Sequence, residues 1–248
     1  MDGLDQALGG RRDTLTPVGR ETVNARVFAE LRRSLIHGVF EAGEVLRIVD
    51  LAEALQTSTM PVREALARLA SEQALETLPS RSVRVPLITR DRLDDLASAR
   101  RLVEGELTAL AVPNLTAADL GALRGLTVAC ERAFAGPSPD KAQATSELNH
   151  AFHFRIYAAA GSAVLIPVVE SLWLQSGPYV RAAARIHEED GHVHAVHHHW
   201  ALIAALERRD RAAAVAALTA DITNSFDLIR GRLGSDGRGG QREGAHAG

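Results

Sequence analysis

Residues 49–69, reading VDLAEALQTSTMPVREALARL, limit what this chain can fold into more than any other stretch. Two short amphipathic segments are joined by a polar run, and neither is long enough to be a stable helix alone. In the second segment Val62, Ala65, Leu66 and Leu69 fall at i, i+3, i+4 and i+7, the spacing of one buried helical face. Thr59, Met60, Arg63 and Ala67 stand on the opposite side. Ser58 is placed to cap this helix, and Pro61 lies in its first turn, where a missing N–H costs little. Such a pair must dock on neighbouring elements and leave one face for an external partner, which describes a helix-turn-helix.

The surroundings supply the docking elements. Residues 21–37 carry Val23, Val27, Phe28, Leu31 and Leu35 on one helical face, and Gly38 stops that helix. Residues 74–86 (ALETLPSRSVRVP) alternate around Pro79-Ser80-Arg81-Ser82, the pattern of a two-stranded hairpin. A helix, a helix-turn-helix and a hairpin together make a winged helix-turn-helix. From Thr89 onward the pattern is helical almost without break. Segments at 91–112, 116–134, 140–160, 163–185, 197–208 and 210–230, with short connections, predict one antiparallel bundle. The expectation is a mostly α protein: an N-terminal winged helix-turn-helix over residues 21–87 and a C-terminal all-α antiparallel bundle over 88–230. Residues 1–20 and 231–248 lack periodicity and are expected to be disordered tails, their arginines either solubilising or reaching for DNA.

Composition supports that reading and narrows the setting. Only 4% of residues are aromatic in a chain of 248, and Ala and Leu dominate, which favours helices. The formal net charge of −3 does not announce a nucleic-acid partner, so basic surface must be local. Arg63, Arg68, Arg81, Arg84, Arg90, Arg92, Arg100 and Arg101 supply it. The single cysteine, Cys130, excludes an internal disulfide and fits the cytoplasm. No run approaches the roughly 18 apolar residues of a membrane span, so no membrane partner is expected.

Seven blocks then carry a family likeness. LRRSLIHGVFEAGEVL, LAEAL, MPVREALARLASEQALE and the wing LPSRSVRVP resemble the winged helix-turn-helix of GntR-family bacterial transcription regulators. ARRLVEGELTALA, NHAFHFRIYAAAGSAVL and HWALIAALERRD resemble that family's helical FCD effector domain, of the FadR-type subfamily. The chain departs from the usual pattern at Thr59, where arginine is common, at Gln56 and Ser82, where glycine is common, and at Ala42, where proline is common.

A recognition helix enters the major groove by its amino-terminal half, where arginine can pair with guanine O6 and N7. Arg63 is best placed for that, with Ser58, Thr59 and Met60 beside it. Arg81 and Arg84 on the wing, and Arg32 or Arg33 on the first helix, suit phosphate or minor-groove contact. Arg68 is expected to pair with Glu64.

In the bundle, Asn149 and His153 are an i, i+4 pair, and His199 and Asp221 lie on apolar stripes, so polar groups are aimed inward. Many FCD domains bind a divalent metal through an Asp or Asn four residues before a His, then two further His. The resemblance places those ligands at Asn149, His153, His199 and Asp221, the last normally a His. Oxygen and imidazole donors suit Zn, Ni or Mn, and a buried polar network without an ion is the alternative. Arg100 and Glu104 match the family's Arg-x-x-x-Glu position, which implies either an anchor for a small anionic effector or a structural ion pair. His187, His192, His194, His197 and His198 read as a solvated loop, with His194 or His197 near the effector as the alternative. The functional expectation is a homodimeric regulator, most often a repressor in this family, that binds a palindromic double-stranded DNA operator and responds to a small carboxylate. A metal-dependent hydrolase and a DNA-binding scaffold without ligand response are the contrasting classes.

Overall fold

The computed structural model describes residues 22–79, 82–136, 141–189 and 196–239. The first helix, α1 (Val23–Ile36), starts where the Thr22 hydroxyl accepts from the Ala25 N–H, and buries Val27, Leu31, Leu35 and Ile36. Gly38, at φ 64°, turns the chain after it. Strand β1 (Val45–Leu46) leads into α2 (Ile48–Ala54), and after a turn α3 (Thr59–Ser71) buries Val62, Ala65, Leu66 and Leu69 as their spacing predicts. Gln56 in that turn sits at φ 50°, the left-handed region that favours glycine.

Strands β2 (Glu76–Thr77) and β3 (Val83–Arg84) form the expected wing, but the sheet has three strands in the order β1-β3-β2. The third comes from the link after α1, where Val45 pairs with Arg84 and Leu46 with Val83. A two-residue strand is too short for alternation to reveal it.

Six helices follow among the described residues: α4 (Arg90–Ala111), α5 (Ala117–Ala135), α6 (Lys141–Ala159), α7 (Leu165–Glu189), α8 (His197–Glu207) and α9 (Arg211–Gly239). Thr116 and Asp119 form a reciprocal capping box at the start of α5. Two boundaries differ from the sequence expectation. Helix α7 continues through His187 to Glu189, into the His-rich stretch read as loop, and α9 continues to Gly239, past the tail expected from 231. Over Arg211–Leu233, α9 is also long and apolar enough by length and composition to cross a membrane. Its Ala214, Leu218, Ile222, Phe226 and Ile229 are nevertheless packed in the bundle core.

The apolar residues divide into two cores. One gathers Val27, Leu31, Leu35, Val62, Leu66, Leu69, Leu75 and Val85, and the other is built from α4 to α9 around Trp173, Tyr157 and Phe152. Leu174 crosses the division, because it lies on α7 yet is fully buried in the first core. The two halves meet where α1 ends against α7. A methyl group added at Gly177 would stand 1.8 Å from the Leu35 carbonyl oxygen, and one at Gly38 would stand 2.5 Å from Cβ of Arg181. Polar contacts surround this point: Arg32 with Glu170 at 3.2 Å, Arg185 with Glu41 at 2.7 Å, and Arg92 Nη2 donating to the Gln73 carbonyl at 2.9 Å.

Gly177→Ala should therefore separate the two halves. Overpacking against backbone costs about 1–3 kcal/mol, and the expected outcome is a cooperative melt splitting into two transitions, with faster proteolysis near residues 86–89. An unchanged single calorimetric transition would show that the junction can yield.

Candidate functional site

Two surfaces carry chemistry, and the first lies on α3. Ser58, Thr59, Met60 and Arg63 are all exposed, Met60 to 61%. An apolar side chain held that far into solvent at the start of a docked helix is suited to a partner surface. Arg63 makes no hydrogen bond or ion pair with any described residue, so its guanidinium is available. Ser58 holds the N-cap position, but its hydroxyl accepts no capping bond and stays free as well. Arg47, the residue before α2, is another exposed cation that sequence reasoning passed over. Its position immediately ahead of an apolar helix start was the available signal.

Of the other arginines expected at DNA, those among the described residues form ion pairs within the protein. Arg84 stands directly opposite Glu76 across β3 and β2 and forms a half-buried ion pair with it at 2.7 Å. Arg32 is spent on Glu170 of α7, and Arg33 pairs with Glu30 at 2.6 Å. Arg68 pairs with Glu72, at 3.2 Å, instead of Glu64, and lies over the Phe28 ring at 3.7 Å. Arg81 lies outside the described residues.

The second surface is a cavity within the bundle with about 580 Å³ of empty space including its mouth. Arg100, Asn149, His153, His199 and Asp221 all line it, so α4, α6, α8 and α9 bring together residues up to 121 positions apart in sequence (Arg100 to Asp221). His153, His199 and Asp221 each offer a ligand atom within 4.8 Å of the others. His153 Nε2 lies 3.1 Å from an Asp221 carboxylate oxygen, and His199 Nε2 lies 3.0 Å from Asn149 Oδ1. Two donors each about 2.1 Å from one ion stand about 3.0–3.4 Å apart at octahedral or tetrahedral angles, so both spacings fit a shared cation. Burial pushes His199 down to about 4, in spite of the nearby carboxylate, and its imidazole is neutral with a lone pair to give. Burial works to raise Asp221, but the hydrogen bond from His153 and the neighbouring imidazoles outweigh it and hold the carboxyl at about 2. A neutral His199 imidazole and the His153 ring beside an ionised, buried carboxylate are a donor set that a divalent cation would satisfy. Cys130 also lines the cavity, but burial pushes its thiol up to about 12, so it is a neutral part of the wall.

Arg100 and Glu104 differ in what they reach. Arg100 is buried and lines the cavity, whereas Glu104 is fully buried behind it and is not part of the lining. Glu104 accepts from Arg100 Nε at 2.5 Å and Nη2 at 3.2 Å, which leaves Nη1 for a ligand. Trp173 stacks under the guanidinium at 4.2 Å. Among the histidines, His187 lines the cavity from α7, while His197 is exposed at the start of α8, outside it. His194 lies outside the described residues. The helix extension explains the exchange, because α7 carries His187 one turn beyond Ala183 and Ala184 on the cavity side. Tyr157, which sequence reasoning missed, connects Glu104 to His153 through its hydroxyl. Its place four residues after His153 was the available sign.

A free recognition helix on one half and a ligand-sized polar cavity in the other define a DNA-binding protein with a sensing domain. Residues 23–85 match the bacterial regulatory proteins of the gntR family and residues 95–224 match the FCD domain, and the chain belongs to the GntR family of DNA-binding transcription regulators. Its relatives include the HTH-type transcriptional regulator McbR of Escherichia coli, 32% identical over 77% of this chain and 85% of McbR. The HTH-type transcriptional repressor GlaR of E. coli is 30% identical over 58% of this chain and 66% of GlaR. The solved structure of E. coli McbR/YncC superimposes with a TM-score of 0.78 at 27% identity, covering 86% of this chain and 99% of that one.

On this geometry Arg63→Ala is expected to lose about 1–3 kcal/mol of specific binding and to relax preference at one base pair. Arg84→Ala should barely alter the salt dependence of DNA binding, since Glu76 already neutralises it. A quantitative footprint at two salt concentrations checks both.

Proposed function

We propose that this regulator is a cytoplasmic homodimeric repressor whose hold on a palindromic operator is altered by a small carboxylate bound next to a divalent ion in the helical domain. On this reading the winged half covers residues 21–87 and the effector half 88–230. The observation that carries it is the cavity, where Arg100 faces the same space as Asn149, His153, His199 and Asp221. These four residues would hold the ion, and an ion bound there supplies a Lewis-acidic centre for a ligand oxygen. Arg100 Nη1 would take the ligand's second anionic oxygen, and the apolar wall of Phe134, Val180, Ile222 and Phe226 would exclude water from its remainder. Two copies related by a two-fold axis would present their α3 helices to successive major grooves about 34 Å apart. The chemistry is binding without turnover, in keeping with relatives named as transcriptional regulators.

A gel shift on the DNA upstream of the protein's own gene, with and without candidate organic acids, tests the whole reading. A shift relieved by one acid is the expected result. Absence of any shift points to the hydrolase, and a shift that no acid alters points to the scaffold.

The metal is tested separately. Saturating Zn, Ni or Mn at about a hundredfold over Kd adds about 2.7 kcal/mol, which for a domain of this size raises Tm by about 5–10 °C. His153→Ala and His199→Ala should abolish both that rise and the stoichiometric metal seen by elemental analysis. Metal-free protein with no such rise would refute the site.

A further inference from the structure

The bundle core contains a continuous polar chain that the proposed ligand set uses only at one end. Glu104, 0% exposed, binds the Arg100 guanidinium through both carboxylate oxygens and so stands as its counter-ion. Its Oε2 also accepts from the Tyr157 hydroxyl. Tyr157 is fully buried, with its hydroxyl seated on the Glu104 carboxylate. A phenol has one hydrogen to give, and a carboxylate already paired with arginine can only accept it.

That one fact fixes the next link. His153 Nδ1 lies 3.2 Å from the Tyr157 oxygen. With the phenol hydrogen committed to Glu104, Tyr157 can only accept from His153, so Nδ1 must carry hydrogen. In the neutral ring the lone pair is then on Nε2, the atom 3.1 Å from the Asp221 carboxylate. A lone pair and a carboxylate at that distance repel unless a proton or a cation lies between them. The other metal-facing histidine has no such support: His199 Nδ1 is buried without a hydrogen-bond partner among the described residues.

We propose that Tyr157 and Glu104 are the positioning pair of the metal site: they hold His153 in the tautomer that presents Nε2 to the ion, and they tie that ligand to Arg100 on the effector side. This rests on the metal reading above. Outer groups that orient a ligating imidazole typically contribute 10- to 100-fold to metal affinity. Tyr157→Phe keeps the ring in its packing and removes only the hydroxyl, so Ni or Zn affinity should fall by that factor while the far-UV spectrum and the two-half architecture are retained.

Calorimetric titration of the full-length protein with Ni²⁺ separates the possibilities, with Tyr179→Phe as the control. Tyr179 is also buried and stacks on Phe226, but its hydroxyl has no contact with the ligand set. A 10- to 100-fold rise in Kd for Tyr157→Phe and an unchanged Kd for Tyr179→Phe is the expected result. Equal Kd values for wild type and Tyr157→Phe, with Tm alone lowered, would make Tyr157 a packing residue and overturn the proposal while the metal reading stands. Wild-type protein that takes up no metal would overturn both. If Tyr157→Phe does not fold, imidazole ¹⁵N spectra of zinc-loaded wild type decide it. Hydrogen on Nδ1 of His153 supports the proposal, and zinc on Nδ1 defeats it.

Discussion

The arrangement of the two halves depends on a contact that contains no side chain, the approach of Gly177 on α7 to the Leu35 carbonyl at the end of α1. Backbone packed on backbone leaves no side chain to readjust, so α7 cannot move toward α1 without displacing it. Pro178 comes next in α7, where its ring removes an N–H and crowds the carbonyl four residues back, that of Leu174. The helix is thus weakened at the point where its two duties divide. Glu170, Leu174 and Gly177 hold the winged half, while Val180, Ala183, Ala184 and His187 line the cavity. Since α1 packs directly on α3, a cavity ligand and an operator would bias one element from opposite ends. Coupling of about 1–3 kcal/mol is typical of such linkage and demands only small movements.

The second constraint is charge in the bundle core. Taking a guanidinium out of water is costly, and Arg100 is tolerated at 4% exposure because Glu104 neutralises it and Trp173 lies against its face. Once that pair is closed, Asp221 is left as an ionised group beside the neutral His199 imidazole, and a proton on His153 or a bound cation would balance it. The structure therefore makes the metal question one of charge balance as much as of coordination geometry.

How far the sequence reveals this depends on whether the relation is local. Helix faces, caps and turns are written in neighbouring residues, so α1, α2, α3 and the six bundle helices are legible, as are the inward-facing Asn149, His153, His199 and Asp221. Exposure of Arg63 follows from the same periodicity. Relations across elements leave no such mark. Nothing near Arg84 says that Glu76 is its strand partner, and nothing near Arg32 says that Glu170 lies 138 residues away to receive it. The third strand is lost because Val45 and Leu46 are too few to show a period, and His187 because a polar sequence reads as loop when the helix carrying it is held by its apolar side. Tyr157 was visible by spacing but looks like another core aromatic until Glu104 is placed beside it.

The proposed ligand set gives the cavity a direction. Asn149 on α6 is neutral, and Asp221 on α9 supplies the carboxylate of the proposed set. The site then has a neutral wall on α6, with Asn149 beside Thr145 and Ser146, and a negative wall on α9. The hydroxyls of Thr145 and Ser146 donate to backbone carbonyls of their own helix and keep lone pairs toward the cavity. On the proposed reading, an anion bridging an ion and Arg100 would be repelled by Asp221 and not by α6, so its charged end would approach along α6. Any donor it carries, such as a hydroxyl or ammonium group, would meet acceptors there. A carboxylate bearing a neighbouring hydroxyl or amino group satisfies that wall better than a simple fatty acid would, because the latter leaves those acceptors buried and unpaired.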